Sequence, residues 1–351
     1  MAENKDLKEF GNRLKLARKM AGLSMEDLIR KAEGIVTKQA ISKYEKGIMK
    51  PSSDVLIRLA LALGVKPEYF YRQSKIELSG MQFRKKSQLP VKIIESLKQR
   101  TIDFLERYIE LENILGVHEK FINPLSDLSI ESLKEVENAS LKLRKKWELG
   151  LAPITNLLEL LEENNIKVYE VKNIKDLDGL TASVGDINAI VINRDLPIDR
   201  IRFTAAHELA HILCEFQRGS QKEKLCHSFA GAFLLPKVIL ERELMKKREQ
   251  ITLWELEEIK QLYGISMQAI VKRAHMLGIV SDFYYRNFQA MLNQKEWKKV
   301  EPVEYEGKEK AIRFKQLLHY AVSEEIITLS RGAELANMSL SDFEENVRAA
   351  I

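Results

Sequence analysis

In FGNRLKLARKMAG the apolar residues Phe10, Leu14, Ala17 and Ala21 step by four, three and four positions, the spacing of one helix face. Gly22 ends this helix. Ser24 caps the next, with Asp27 as the acidic half of a capping box, and Leu28, Ile29 and Ala32 form its inner face before Gly34 breaks it. Thr37 caps a third helix, KQAISKYEKG, anchored by Ile41 and Tyr44 and stopped by Gly47. A fourth follows Pro51, with Val55, Leu56, Leu59, Ala60 and Leu63 facing inward, and KPEYF supplies a short fifth turn. Five short helices with two closely joined in the middle make a helix-turn-helix domain.

Beyond Gln73 the chain is rich in charge and poor in glycine. SQLPVKIIESLKQRTIDFLERYIELENILGV and LSIESLKEVENASLKLRKKWELG carry apolar residues at helical spacing, with HEKFINPLSDL as a loop between them. Disordered linkers lack such periodicity, so these segments are expected to pack on the next domain. After a helix in PITNLLELLEENN come three β-like runs, IKVYEV, GLTASV and NAIVIN, then a turn at RDLP and a helix entered through Pro197. ITLWELEEIKQLYGISMQAIVKRAHMLGI reads as two helices around a Gly-Ile-Ser turn, expected to pack on the preceding domain. The tail from Ala311 is helical and amphipathic, able to cover a site, form a dimer interface or recognise a partner. The expected fold is mainly α with a small β-sheet. A five-helix DNA-reading domain spans 9–73, a helical connector 74–149, an α+β domain 150–290 and a helical C-terminal region 291–351.

A chain of 351 residues is long enough for two or three such cores. Arg58 interrupts even VLIRLALALGV, so no apolar run reaches the eighteen or so residues of a membrane helix, and MAENKDLKEF has no apolar signal region. Two cysteines, Cys214 and Cys226, are too few for a disulfide framework; a cytoplasmic setting with no membrane partner is expected. Charge sharpens the picture. Residues 1–72 hold fifteen Lys or Arg against nine Asp or Glu, while the net charge of the whole chain is +5, leaving −1 for the rest. A positive field confined to the first domain points to an anionic partner there.

The stretch LSMEDLIRKAEGIVTKQAISKYEKGIMKPSSDVLIRLALALGV closely resembles the Cro and lambda-repressor-like (XRE) family, in its SKYEKG element and in the P-x-x-x-x-L-x-x-L-A-x-A-L-G pattern. The resemblance implies that the helix from Thr37 to Glu45 enters the major groove of double-stranded operator DNA, with the protein acting as a homodimer. The DNA-binding side chains would be Thr37, Lys38, Gln39, Ser42, Lys43 and Lys46. Gln can pair with adenine edges, and Lys with guanine or phosphate.

FTAAHELAHILCEF places His207, Glu208 and His211 in the order His-Glu-x-x-His. On a helix the two histidines lie one turn apart on one face and can grip one ion, although they could also be hydrogen-bonded core residues. Glu208, beside that face, can take a proton from the attacking water and pass it to the leaving amine. The metzincin layout needs Gly at 214 and His at 217, where this chain has Cys214 and Gln217. The gluzincin layout takes a Glu from a following helix, and KEKLCHSFAGAFLLP offers Glu223, with the QRGSQ turn letting that helix fold back. His227 would share its face and could orient a ligand from behind. Cys214 and Cys226 belong to no C-x-x-C pair and read as small core residues. Tyr263 or His275 could stabilise a transition state. His118 and His319 are isolated.

FTAAHELAH followed by EKLCHSFAGAFLLP resembles the ImmA/IrrE family of metallopeptidases, over about residues 150 to 290, with the DGLTA and VIN segments also fitting. The family joins HExxH to a Glu-x-x-x-Asn-x-Phe-Ala-x-x-x-Leu-x-Pro helix. The resemblance implies a gluzincin-type fold, Zn2+ held by His207, His211 and Glu223, and Glu208 as catalyst. The chain departs at His227, where the family more often has Asn; unlike Asn, His227 is also an alternative ligand. The implied function is a DNA-binding transcriptional regulator of prokaryotic or phage type, antitoxin-like, whose zinc endopeptidase cleaves a repressor-like or toxin-like protein partner, or itself. The alternative is a non-catalytic transcription factor whose zincin fold senses a ligand or binds a partner around a structural zinc; Glu208 would be unnecessary there.

Overall fold

The computed structural model describes residues 2–72, 82–84, 89–216, 221–245, 247–298 and 300–349. Gln217, most of the QRGSQ turn and the start of the connector lie outside the described residues. In chain order, α1 (Ala2–Met20), α2 (Met25–Lys31), α3 (Lys38–Glu45) and α4 (Ser53–Leu63) precede a 3-10 turn at Pro67–Tyr71. Then come β1 (Gln82–Arg84), α5 (Val91–Leu115), β2 (Ser129–Ile130), α6 (Leu133–Lys146) and α7 (Leu157–Glu163). The strands β3 (Ile166–Val171), β4 (Gly179–Val184) and β5 (Ile187–Asn193) lead into α8 (Ile198–Leu213) and β6 (Glu215–Phe216). The helices α9 (Lys222–Leu234), α10 (Lys237–Leu244), α11 (Leu253–Tyr263), α12 (Met267–Met276) and α13 (Asp282–Gln294) follow. Last are α14 (Arg313–Ser323), α15 (Leu329–Ala336) and α16 (Leu340–Arg348). The fold is mainly α with a small sheet, and among the described residues no helix is long and apolar enough to cross a membrane.

The chain forms two compact units. One joins Met1–Gly80, Ser87–His118 and Phe314–Ile351; the other joins Met81–Lys86 and Glu119–Arg313. In the first, the expected caps are present: Ser24 and Asp27 form the capping box of α2, and Thr37 Oγ1 accepts from Ala40 N at 3.1 Å. Phe10, Leu14, Leu28, Ile41, Leu59 and Phe70 form its core. The SKYEKG element has a packing reason. A Cβ on Gly11 of α1 would meet Tyr44 O at 2.5 Å and Glu45 O at 2.8 Å, so α1 and the end of α3 touch backbone to backbone. Buried Glu45 accepts from Arg18 Nε and Nη2 at 2.6 and 2.9 Å, a bidentate clamp on the same junction.

The connector is divided between the units. α6 packs in the second, as expected, whereas α5 packs in the first, which corrects the expectation that both pack on the α+β domain. Arg13 of α1 pairs with Glu106 of α5 at 2.7 Å, and Ser96 Oγ donates to Met20 O at 2.5 Å. Burial works against the Arg13 charge, but Glu106 outweighs it and keeps the guanidinium pKa raised. The amphipathic tail closes on the far end of α5. Leu111 packs with Leu318, Leu335 and Phe343, and Arg107 Nη1 donates to Leu335 O at 2.6 Å.

The second unit holds a four-stranded sheet in the order β1-β4-β5-β3, with β3 parallel to β5 and β4 antiparallel to it. β2 and β6 pair separately. The three longer strands are the expected β-like runs; β1 is an addition that no apolar alternation announces. α8 lies against β4 and β5. Gly179 permits that approach, since a Cβ there would sit 2.7 Å from Thr204 Cγ2 of α8. The core joins this sheet to α6–α13 through residues such as Leu143, Ile190, Leu209, Phe229 and Ile270.

A polar network ties the unit together. Arg202 of α8 is wholly buried; its guanidinium donates to Glu309 at 2.5 Å, Ile154 O at 2.7 Å and Gly264 O at 3.1 Å. Glu309 also accepts from Leu158 N at 2.6 Å. It ends an extended strap, residues 301–309, in which odd-numbered residues turn inward and even-numbered ones outward. Its other end is Glu301, which accepts from Lys260 Nζ at 2.7 Å and from Met267 N and Gln268 N. Removing one partner of a buried pair strands the other's charge, so Glu309→Ala should cost about 3–5 kcal/mol. Gly264→Ala should also destabilise strongly, because a Cβ there would overlap Arg202 Nε at a backbone φ of +60°. Urea unfolding, read as a lowered midpoint for the second unit's transition, checks both.

Candidate functional site

Two groups of residues singled out by the sequence are assembled in different units. On α3, Thr37, Lys38, Gln39, Lys43 and Lys46 are exposed and Ser42 is half-buried, while Ile41 and Tyr44 point into the core. One face of the helix is thus spent on packing and the other is free for a ligand. Lys38 forms an ion pair with Glu26 across the α2–α3 turn. Hydrogen bonding from Lys38 keeps the Glu26 carboxyl below its ordinary range. Both groups are largely exposed, so the pair is weak and can yield to a polyanion.

The second group forms around α8. His207 Nε2 and His211 Nε2 stand 3.2 Å apart, and Glu223 of α9 brings Oε2 to 3.3 Å from the first and Oε1 to 3.6 Å from the second. Among the described residues, these three form a group of metal-capable donors with all their ligand atoms within 4.8 Å of one another. Two ligands bound at 2.0–2.1 Å with a tetrahedral angle between them lie about 3.3 Å apart, so the separations suit one ion in a four-coordinate site. Both imidazoles are buried, whereas the Glu223 side chain is 36 % exposed, which leaves one side of the group accessible.

Glu208 is buried, and Thr181 of β4 donates its hydroxyl to Glu208 Oε2 at 2.6 Å, which fixes the carboxylate. Apart from the threonine in GLTASV, nothing along the chain announces this contact. Cys226 is a second residue whose place the sequence pattern does not reveal: its Sγ lies 3.5 Å from His211 Nδ1, behind the imidazole. Cys214 is a buried core thiol, its pKa pushed up by burial. His227 stands beside the donor group rather than within it, its ring 4.4 Å from that of His207 and stacked on Phe203.

Phe203 and His227 also line a cleft of ≈ 670 Å³ whose walls mix apolar side chains such as Trp297 and Tyr305 with charged ones such as Arg200 and Glu304, so this cavity lies beside the His227 ring that contacts His207. In its wall Lys260 bridges Asp199 and Glu301 at 2.8 and 2.7 Å. Burial opposes its charge, but the two carboxylates raise the pKa overall. The other ring candidates are engaged elsewhere. His275 contacts Asp282 at 2.5 Å and stacks on Tyr285; buried Tyr263 has its phenol beside Arg242 and Glu243, and burial raises its pKa. His118 contacts Glu112 at 2.9 Å.

Comparison with known families agrees with this division. Residues 14–70 match the family model described as helix-turn-helix, and residues 162–275 match a peptidase family model described as the IrrE N-terminal-like domain. No curated protein matches the chain. The two matches support a DNA-binding regulator region and a peptidase-like domain joined in one chain, the fused architecture that the resemblances implied.

Proposed function

We propose that the protein is a transcriptional regulator of the antitoxin-like or phage type that binds operator DNA as a homodimer and cleaves a regulatory protein through a zinc-dependent endopeptidase site. The observation that supports it best is the convergence of His207, His211 and Glu223 at separations suited to one ion, with a buried, hydroxyl-oriented carboxylate on the adjacent residue, Glu208. Two histidines and a carboxylate are the donor set of hydrolytic zinc sites, and a bound zinc ion would supply Lewis acidity toward water and the scissile carbonyl.

The chain's own residues supply the remainder. Glu208 takes a proton from the attacking water at a carboxylate oxygen and delivers it to the leaving nitrogen. Thr181 holds that carboxylate in place through its 2.6 Å hydrogen bond. Cys226 and His227 set the planes of the two ligand imidazoles from behind and beside them. The cleft lined by Phe203 and His227, with both apolar and charged walls, accepts a substrate side chain next to the cut bond. On α3, Lys38, Gln39 and Ser42 read base edges, Thr37 stands at the helix entry, and Lys43 and Lys46 meet phosphates.

Protein purified without added metal should contain about one zinc per chain, as a single four-coordinate site requires. Elemental analysis should show that zinc lost in His211→Ala and in Glu223→Ala and retained in His227→Ala. Retention in His211→Ala would remove the ligand assignment. Glu208→Gln should keep zinc, folding and operator binding but lose cleavage of the partner, because an amide cannot accept the proton. Unchanged reporter output from Glu208→Gln would instead favour the non-catalytic regulator.

The DNA face has its own test. Gln39→Ala should relax sequence preference and weaken operator binding by about 1–3 kcal/mol. Lys43→Ala should weaken binding to all sequences alike and flatten the salt dependence. Electrophoretic titrations at several salt concentrations separate the two, and unaltered specificity in Gln39→Ala would rule out this docking.

A further inference from the structure

One wall of the cleft beside His227 lies beyond residue 275, where the match to the peptidase family ends. Trp297 comes from the turn after α13, and Val303 and Tyr305 from the strap that follows. The other walls include Phe203 of α8, His227 of α9 and Ala269 of α12. The strap is stitched down along its length. Gln261 of α11 donates to Glu304 O at 2.6 Å and accepts from Glu306 N at 3.1 Å. The Asn156 amide does the same for Lys310 O and N, at 2.9 and 3.2 Å. With Glu301 and Glu309 anchored as well, the wall has a fixed shape, which selection by fit requires.

Four rings border this space, Phe203, His227, Trp297 and Tyr305, and each is half-buried. Phe203 and His227 stack with their centroids 5.9 Å apart. An aromatic border can take either an aromatic guest or a cation, and the surrounding charges decide between them. The Arg202 guanidinium lies 5.4 Å from the centroid of the Tyr305 ring, and Lys295 Nζ lies 4.5 Å from that of Trp297. Both rings therefore already serve a cation. Lys272 and Lys298 add two exposed positive charges to the lining. Of the carboxylates there, Asp199 and Glu301 are held by Lys260, Asp195 accepts from Asn173 N, and Glu304 is on the outward side of the strap. A basic side chain would meet repulsion, whereas an uncharged ring would be buried among rings.

We propose that this cleft selects an aromatic side chain, over a basic or a small one, in the residue that flanks the cut bond, and that Trp297, Val303 and Tyr305 determine the selectivity. Only the cutting rests on the peptidase reading; the binding preference stands without it. Phe203 and His207 are four residues apart on α8, so the cleft begins one helical turn, about 5.4 Å, along the helix from the donor group. A phenylalanine-sized side chain spans that distance.

The experiment uses the full chain and, as probes, the N-acetyl methylamides of phenylalanine, alanine and arginine, titrated while the tryptophan indole N–H resonances are followed by NMR. The chain has three tryptophans, so the signal lost in Trp297→Phe is that of Trp297. The phenylalanine probe should shift that signal and bind about tenfold more tightly than the alanine probe, from burial of its ring. The arginine probe should bind no more tightly than the alanine probe. Ala269→Phe, which fills the cleft from α12, should abolish the shift, and Tyr305→Ala should erase most of the preference. Should either substitution unfold the domain, the ranking of the three probes on the unsubstituted chain carries the test. Equal binding of the phenylalanine and alanine probes, tightest binding of the arginine probe, or an unaltered shift in folded Ala269→Phe overturns the proposal. Cutting is followed separately, with a library of decapeptides randomised at every position. If the probes rank as expected but zinc-loaded wild type leaves the library intact, the peptidase reading falls and the cleft assignment stands. If wild type and Ala269→Phe cut it alike, at bonds with no aromatic neighbour, the reverse holds.

Discussion

Arg202 carries a full positive charge into a region closed to solvent, and the placement of three separate segments follows from the need to satisfy it. A guanidinium has five N–H donors and cannot shed its proton, so burial demands acceptors from every side. They come from the strap at Glu309, the loop before α7 at Ile154, and the end of α11 at Tyr263 and Gly264. Glu309 is in turn held by the backbone at the start of α7, although burial raises its carboxyl pKa despite the nearby guanidinium. Arg202 lies in the second turn of α8, little more than a turn before His207. The same satisfied charge therefore sets the axial position and rotation of the helix that presents the donor group.

That logic repeats along α8. Asp199 at its first turn meets Lys260, Glu208 in its middle meets Thr181, and His211 near its end meets Cys226. Each partner comes from a different element, so the helix is pinned at three depths against the sheet, α9 and α11. A helix buried on every side would otherwise be free to slide or turn among apolar neighbours. Here displacement would leave polar groups without partners, each at a cost of about 1–3 kcal/mol. Rigid placement of the histidines is a consequence of this accounting, and it is what a metal-binding geometry needs.

Much of this was legible in the chain. Ser24, Asp27, Thr37 and the glycines after each helix are local signals, because a cap is satisfied within four residues. The runs IKVYEV, GLTASV and NAIVIN announce strands through their β-branched residues. The spacing of His207 and His211 placed both imidazoles on one face because helix geometry converts sequence intervals into directions, whereas Glu223, on a different helix, was reached only through the resemblance to a known layout. What stayed hidden is non-local. The apolar stripe of α5 says that it packs, but not on what, and its partners Arg13 and Leu318 lie 93 and more than 200 positions away. The strap does alternate with a period of two, yet two of its inward residues, Glu301 and Glu309, are charged, so its pattern reads as solvent-exposed. β1 has too few residues to show any period.

The order of segments along the chain has a consequence for biogenesis. α5, which leans on the DNA-reading helices, meets its second set of neighbours only in α14–α16, and the whole of residues 119–313 intervenes. On a ribosome, the peptidase-like unit has all its residues outside the tunnel before Leu318, Leu335 and Phe343 emerge to cover Leu111. Closing so long a loop is slow, and the exposed end of α5 is a sticky apolar surface while it waits. A nascent chain would thus hold a folded peptidase-like unit before its DNA-binding unit is complete, so the two units would mature in the reverse of the order in which their first residues are written.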